Sequence, residues 1–421
     1  MNKRKWVERA KTLAIVLLAA SAAILLVQIA VAYGLEPLSV FEESATQSDA
    51  ETGYAQAAKP IAVCVTGNTG ARSAAKYDSE SVSELYSGFS AALAEALGSA
   101  GEPVEVTEQE WREALSGAGV FFEFYGAQPL RAVACWLGTE MSTGDAASAS
   151  ASLMCLSKGE DEVLFYYLDN SDEKFYQCDT LSTLNTDSVT GTSDARFAFE
   201  DDAYSEEIDP YTLYISTLPQ LSEVSVRNPV RSGLSSEALL DAFGMNGFVS
   251  VPYTEAEGTL VYVGNESTLR VATDGLVTFR QTGSSVLTVP HSGSHAQIED
   301  IIDAAYRLTD EVTSPYRGAD TAISLTGIDY AEGSYVLHFD YQILGICVGV
   351  AQDTGAAEIT VSGSSITKAE IYLREYSVQE GGVTVLPEKQ AAALCASDGG
   401  GKPALHYIDS GESVSLCWVA E

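Results

Sequence analysis

The chain has 421 residues, 46% of them hydrophobic, with 59 acidic residues against 23 basic ones and a formal net charge of −36. That length leaves room for about two or three domains with sizeable cores. The charge repels phosphate backbones and anionic headgroups, which argues against nucleic acid as a partner.

The charge is unevenly placed. Five of the basic residues (Lys3, Arg4, Lys5, Arg9 and Lys11) lie in a tip, residues 1–12, that holds a single acid, Glu8. The remainder carries 18 basic and 58 acidic residues, a net of −40. Acidity of this kind keeps an exported domain soluble. From Leu13 to Ala32 the chain reads LAIVLLAASAAILLVQIAVA, interrupted only by Ser21 and Gln28. A helix of that length spans about 30 Å, the thickness of a bilayer's hydrocarbon core. The basic tip orients it with the N-terminus in the cytoplasm, so residues after Tyr33 are expected outside the cell membrane. Ala30-Val31-Ala32 resembles a signal-peptide cleavage site. The apolar run is longer than the roughly 7–15 residues of a signal h-region, which favours an uncleaved single-pass anchor. The small residues Ala19 to Ala23 permit close approach of a second membrane helix, and Gln28 offers it a hydrogen bond.

Residues 33–59 are poor in aromatics and rich in Glu, Ser, Ala and Thr, the composition of a flexible stalk. Residues 60–228 read as a mixed α/β domain outside the membrane. Pro60–Val65 is a strand, followed by a helix with Val82, Leu85, Tyr86, Phe89, Leu93 and Leu97 on one stripe, opened by the capping box Ser81-x-x-Glu84 and stopped at Gly98. A shorter helix starts at the Thr107-x-x-Glu110 box and presents Trp111, Ala114 and Leu115. An aromatic strand, Val120–Tyr125, follows, with further strands at Ala151–Leu156 and Glu162–Leu168. The weakly patterned stretch from Leu181 to Asp194 reads as a loop.

Residues 229–318 and 319–421 read as two sheet-and-helix modules. Ser236–Phe243 is a short helix closed by Gly244. Thr268–Arg280 alternates on both sides of Asp274-Gly275, the signature of a hairpin with a two-residue type I′ turn. Ile298, Ile301, Ile302, Ala305, Leu308 and Val312 form the apolar stripe of a helix. Strands at Tyr335–Tyr341 and Ile346–Val350 join through Gly345, and a hairpin follows around Ser362-Gly363. A helix begins after Pro387, and strands at Ala404–Ile408 and Ser415–Val419 close the chain. The order strand, hairpin, helix recurs around 257–312 and 333–396, the pattern of an internal duplication. The fold class is therefore α+β: a transmembrane helix, then extracytoplasmic modules of mainly antiparallel sheet with packed helices.

No catalytic, cofactor-binding or metal-ligating constellation emerges. Asp353-Thr354-Gly355 matches half of an aspartic-protease site, but that chemistry needs two such loops and there is one. Ser365-x-x-Lys368 has the SxxK spacing of penicillin-binding proteins but sits in a hairpin arm. His291 and His295 are four apart with Ser-Gly-Ser between them, which breaks the helix that a metal pair requires. His338 and His406 read as ordinary strand residues, and Gly67-Asn-Thr-Gly70 as a turn. The acidic residues show no calcium-loop spacing. Seven cysteines leave at least one unpaired within the chain. Six sit in core-like surroundings, and Cys178, in Gln-Cys-Asp, reads as surface-exposed. These absences point to a regulator or binding module; a stalked extracellular hydrolase or ligand-binding protein is the competing reading.

Several stretches in order resemble the YycH/YycI family, membrane-anchored regulators of an essential cell-wall-sensing histidine kinase in low-GC Gram-positive bacteria. These are EWREALSGAGVFFEFYGAQPLRAVACWLG (Glu110–Gly138), ALLDAFGMN (Ala238–Asn246) followed by LRVATDGLVTF (Leu269–Phe279), YVLHFDYQILGICVGVA, AEITVSGSSITKAEIYLREY, and PALHYIDSGESVSLCWV near the end. The acidity and Ala/Ser richness depart from the family. The resemblance implies an extracytoplasmic α+β fold without catalytic residues or cofactors. It also implies contact with a sensor kinase through the Leu13–Ala32 helix, and a paralogous regulator as a further partner.

Overall fold

The computed structural model describes residues 54, 58–141, 144–159, 162–186, 194–201, 207–245, 252–283, 287–350, 355–397 and 399–421. The basic tip, the apolar run Leu13–Ala32 and residues 33–53 of the expected stalk lie outside them. Among the described residues, no helix is long and apolar enough to cross a membrane.

The first layer is a seven-stranded antiparallel sheet. Its strands are β1 (Ala62–Thr66), β2 (Arg72–Lys76), β3 (Val104–Val106), β4 (Gly119–Pro129), β5 (Ser150–Lys158), β6 (Val163–Asp169) and β7 (Lys174–Asp179), in the order β2-β1-β4-β5-β6-β7-β3. Both faces are covered, which explains the aromatics on consecutive positions of β4. Val120, Phe122 and Phe124 meet helix α1 (Ser79–Ser99) through Val82, Tyr86, Leu93 and Leu97. Phe121 meets Trp111 of α2 (Glu108–Ser116) on the other face, together with Phe197 and Leu213. Those last two residues belong to the short pair β8 (Arg196–Phe197) and β9 (Leu213–Tyr214).

Capping is as expected in α2: Thr107 Oγ1 accepts from the Glu110 N–H at 3.3 Å, and Glu110 Oε2 accepts from the Thr107 N–H at 2.7 Å. In α1 the cap is Asp78 rather than Ser81. Its Oδ1 accepts from the Glu80 N–H at 3.2 Å, and Ser81 itself donates to Asp78 Oδ2 at 2.6 Å. An aspartate three residues earlier takes the exposed N–H groups first and adds a negative charge at the positive end of the helix.

Helix α3 (Leu130–Trp136) follows β4 directly. After β10 (Val224–Arg227), α4 (Pro229–Gly233) and α5 (Ser236–Ala242), residues 229–318 and 319–421 build one eleven-stranded sheet rather than a sheet each. Its strands are β11 (Tyr253–Thr254), β12 (Leu260–Val263), β13 (Ser267–Val271), β14 (Leu276–Gln281), β15 (Thr321–Ala331), β16 (Ser334–Ile343), β17 (Ile346–Val350), β18 (Ala357–Ser362), β19 (Ser365–Tyr372), β21 (Pro403–Asp409) and β22 (Val414–Ala420). The path runs β11-β12-β13-β14-β19-β18-β16-β17-β21-β22, with β15 on the free side of β16; β17 and β21 run parallel. A separate strand, β20 (Glu375–Val378), pairs with β10. Helix α6 (Ile298–Thr313) lays its Ile301, Ile302, Ala305, Leu308 and Val312 stripe on this core, and α7 (Glu388–Ser397) opens just after Pro387.

The Asp274-Gly275 hairpin forms, but with a wider turn. Gly275 donates to the Ala272 carbonyl at 3.2 Å and Ala272 to that of Leu276 at 2.9 Å, with positive φ at Gly275 and not at Asp274. This three-residue loop frees the carbonyls of Gly275 and Asp274 to accept from the Leu373 N–H and Arg374 Nη1, both at 2.9 Å. Tertiary contacts therefore override the local turn preference. Two-residue turns with positive φ at both positions occur instead at Glu332-Gly333 and Leu344-Gly345.

Cys178 is not at the surface. It is fully buried in the core beneath α1, and its polar neighbours Gln177 and Asp179 occupy the opposite face of β7, as strand alternation requires.

The expected stalk does not extend to Tyr54 and Ala58, which are buried in the larger core. The Tyr54 hydroxyl accepts from the Leu325 N–H at 3.2 Å and donates to Gln128 Oε1 at 3.4 Å. Its ring packs edge-on against Trp136 at 4.4 Å and Tyr306 at 5.0 Å. Tyr54 thus ties β4 and α3 of one half to α6 and β15 of the other. Replacing Tyr54 by Phe keeps the rings in place but leaves the Leu325 N–H without its partner, an expected loss of about 1–3 kcal/mol. Tyr54→Ala adds a cavity and is expected to cost about 3–5 kcal/mol. Denaturant unfolding of the two variants checks this order; a Tyr54→Phe variant as stable as the native chain would show that the hydroxyl contributes nothing, and equal losses that the ring contributes nothing.

Candidate functional site

Among the described residues the two sheets meet along three contacts, and their junction concentrates the unusual chemistry. The first contact is the bulged end of β4, where pairing with β5 shifts register between Glu123 and Gln128. Gly126 has φ +95°, and a Cβ there would stand 2.2 Å from the Thr326 carbonyl oxygen, so only glycine lets β4 come this close to β15. Gln128 Nε2 donates to the Leu325 carbonyl at 3.1 Å. Together with Tyr54 it satisfies both backbone groups of Leu325 on the edge of β15. The second contact sets the Leu344-Gly345 turn against the start of α1, where the Ser79 N–H donates to the Leu344 carbonyl at 3.1 Å.

The third contact is an ionic cluster in which Glu123, Lys76 and His406 are buried, Lys402 is partly buried and Glu421 reaches the surface. Lys402, which leads into β21, places its ammonium against Glu123 of β4 and 3.5 Å from Glu421 Oε2. His406 Nε2 lies 2.7 Å from Glu421 Oε1. Lys76 of β2 is 3% exposed and donates to the Leu213 carbonyl at 3.0 Å. These groups line a small, partly open cavity with Tyr77 and Cys347. Burial alone would raise the Glu123 carboxyl, but Lys402 and Lys76 outweigh it and hold the group below its usual range. Burial likewise opposes ionisation of Glu421, yet His406 and Lys402 pull it down to about 2. Lys402 is held above its ordinary value because Glu123 and Glu421 overcome the effect of burial.

On the far side of Lys76, the carboxyl of Glu388 at the start of α7 accepts from the Ile215 N–H at 2.8 Å. Burial pushes this carboxyl up to about 7, against Lys76 and the Ile215 N–H. Glu388 also lines an open groove of about 710 Å³ between Tyr214–Leu218 and Val385–Gln390. Its rim carries both signs of charge, with Lys389 Nζ paired to Asp201 Oδ2 at 2.9 Å.

The residues singled out in the sequence do not converge. Ser365 opens β19 beside Ser362. Lys368 is paired with Glu358 and Glu370 at 2.9 and 3.0 Å. His291 is exposed and faces the Gly293 carbonyl at 3.0 Å; His295 is exposed and not on a helix. Gly67–Gly70 is the β1–β2 turn, closed by the Gly67 N–H donating to Ala71 O at 2.8 Å. Asp353 and Thr354 lie outside the described residues. Among the described residues no group of three or more His, Cys, Asp or Glu side chains is placed to hold a metal. His406, read as an ordinary strand residue, instead belongs to the ionic cluster. The signals that mark the cluster are a lone Glu within Val120–Tyr125 and three glycines preceding Lys402.

Removing one member of a buried pair costs about 3–5 kcal/mol because the other charge is stranded. Lys402→Met is therefore expected to destabilise the fold by that amount, and adding Glu123→Leu is expected to recover most of the loss. A double-mutant cycle from urea unfolding measures it; strict additivity would show that the pair does not interact.

Glu388 makes stability depend on pH. Unfolded, it releases its proton near 4.5; folded, it holds it up to about 7. Its contribution is fully present below pH 4.5 and is lost as pH rises through 7. Glu421 works in the opposite direction, its contribution being present above 4.5 and lost as pH falls towards 2. Glu388→Gln is expected to leave stability at pH 4.5 nearly unchanged and to raise it at pH 8 by on the order of 3 kcal/mol. Unfolding curves at the two pH values decide it; an equal gain at both would remove the buried proton from the account.

No family model and no curated protein matches this chain. Among solved structures it is similar to the crystal structure of YycH from Bacillus subtilis, with a TM-score of 0.52 over 90% of this chain and 96% of that one. The sequence identity is 13%, so what the two chains share is a fold: antiparallel sheets with packed helices in a common arrangement.

Proposed function

We propose that the chain is a membrane-anchored extracytoplasmic regulator that modulates a two-component sensor histidine kinase, with Leu13–Ala32 as its anchor and kinase contact. The observation that carries this reading is the fold likeness to YycH over 90% of the chain. The basic tip and twenty-residue apolar run that precede the shared fold agree with it. A small-residue patch at Ala19–Ala23 lets a kinase helix approach closely, and membrane helix contacts of about 1–2 kcal/mol are enough to shift a two-state kinase several-fold. The outer part acts by contacting one kinase state more favourably than the other, which is all that such a shift requires. The reading assigns no catalytic residue.

The groove beside Glu388 supports a second reading, an anchored ligand-binding protein, because its volume falls within the range of small-molecule sites. One experiment separates the two. Ala20→Leu with Ala23→Leu in the full chain is expected to reduce co-purification of the kinase and its signalling several-fold while membrane insertion persists. If residues 51–421, released from the membrane, regulate the kinase as well as the full chain does, the anchor has no part in the mechanism.

A further inference from the structure

Sheet edges expose unpaired N–H and C=O groups, and folded proteins guard them with charge, brevity, bulges or cover. Most edges of this fold are guarded. The strand β2 carries Arg72 and Lys76, β3 is three residues long and contains Glu105, and β11 has only two residues. The strand β15 carries a bulge at Leu325/Gly327, and Tyr54 and Gln128 take the backbone groups of Leu325.

The strand β22 has none of these devices. It is seven residues long, VSLCWVA, uncharged, and in unbroken register with β21. Lys402 and Glu421 exchange both backbone hydrogen bonds at 2.9 Å, which fixes the alternation along the pair. Ser415, Cys417 and Val419 therefore point their backbone groups at β21. Those of Val414, Leu416, Trp418 and Ala420 point outward, and among the described residues they have no partner.

We propose that this edge pairs with the same edge of a second copy of the chain, antiparallel, with the twofold axis at Cys417. Three observations select a second copy over another partner. Ser413 to Ala420 is free of charge in a chain of net charge −36, so self-pairing opposes no like charges along the strand; charges farther away are screened beyond about 8 Å at physiological salt. The outward residues match themselves about that axis, Leu416 with Trp418 and Val414 with Ala420, giving roughly eight ladder hydrogen bonds. Cys417 then falls at a non-hydrogen-bonded position facing its own copy, at a Cα separation of about 4.5 Å that a disulfide can bridge. An odd cysteine count, with Cys417 partly exposed, fits an intermolecular contact. The inference does not depend on the kinase reading.

The full chain in detergent micelles tests it. Under reducing conditions its protein mass by sedimentation is expected to be twice 44.6 kDa. Diamide, which takes one hydrogen from each of two thiols as the disulfide forms, is expected to link the two copies. Cys417→Ser should lower the yield at least tenfold, whereas Cys135→Ser, at the exposed cysteine, should not. Ala420→Pro removes one outward N–H at an exposed site and should lower both dimer and cross-link at least tenfold without moving the unfolding midpoint. A monomeric mass at tens of micromolar, or cross-linking that survives Cys417→Ser, overturns the proposal.

Discussion

The strand β15 poses the problem around which the two halves are organised. It lies on the free side of β16, and its backbone at Leu325 is buried, so neither its N–H nor its carbonyl can be left to water. A further strand would solve this, but the neighbour available, β4, is irregular where it meets β15: its pairing with β1 ends at Glu123 and its pairing with β5 breaks off from there to Gln128. The fold uses side chains instead: the Tyr54 hydroxyl takes the N–H, and the Gln128 amide takes the carbonyl. Burial keeps the Tyr54 phenol far above its usual ionisation range, so it stays neutral and can donate and accept together. The bulge at the end of β4 and Gly126 follow from the same need, since both bring Gln128 within reach.

The ionic cluster at the other end of the junction works differently. Apolar residues of similar volume at Lys402 and Glu123 would be nearly as stable, because desolvating that pair costs much of what its attraction returns. Such a cluster constrains which arrangement of the two sheets is acceptable, since any sliding strands a charge. The glycines before Lys402 serve this placement: a Cβ at Gly401 would stand 2.5 Å from the Glu421 carbonyl. Glu388, Lys76, Glu123, Lys402 and Glu421 then form an alternating series of acids and bases from the groove into the junction.

Elements whose pattern is local were legible in the sequence. The α6 stripe, the Thr107 box and the strand ending at Val419 all appear where periodicity and capping put them. What was illegible depends on partners far along the chain. Nothing near Glu123 announces Lys402, and nothing in a Ser- and Ala-rich stretch announces that Tyr54 is buried between two helices. The Asp274-Gly275 hairpin is intermediate: its place was readable, but its turn type was decided by Arg374 and Leu373. Cys178 shows the reverse error, since polar neighbours on an alternating strand describe the opposite face and say nothing of the residue between them.

The position of Tyr54 also fixes where a pull from the preceding chain would enter the fold. If Leu13–Ala32 is the anchor proposed above, residues 33–53 of the sequence join it to a fixed, buried point. Fully extended, that link reaches on the order of 70 Å, and as a random coil roughly 25 Å. Its far end is fastened neither to a loop nor to a single sheet but to the ring that holds both halves together. Tension along such a link would act first on the hydrogen bonds at Leu325 and on the edge-on contacts of Tyr54 with Trp136 and Tyr306. A pull that entered the fold at Tyr54 would load the junction before either sheet.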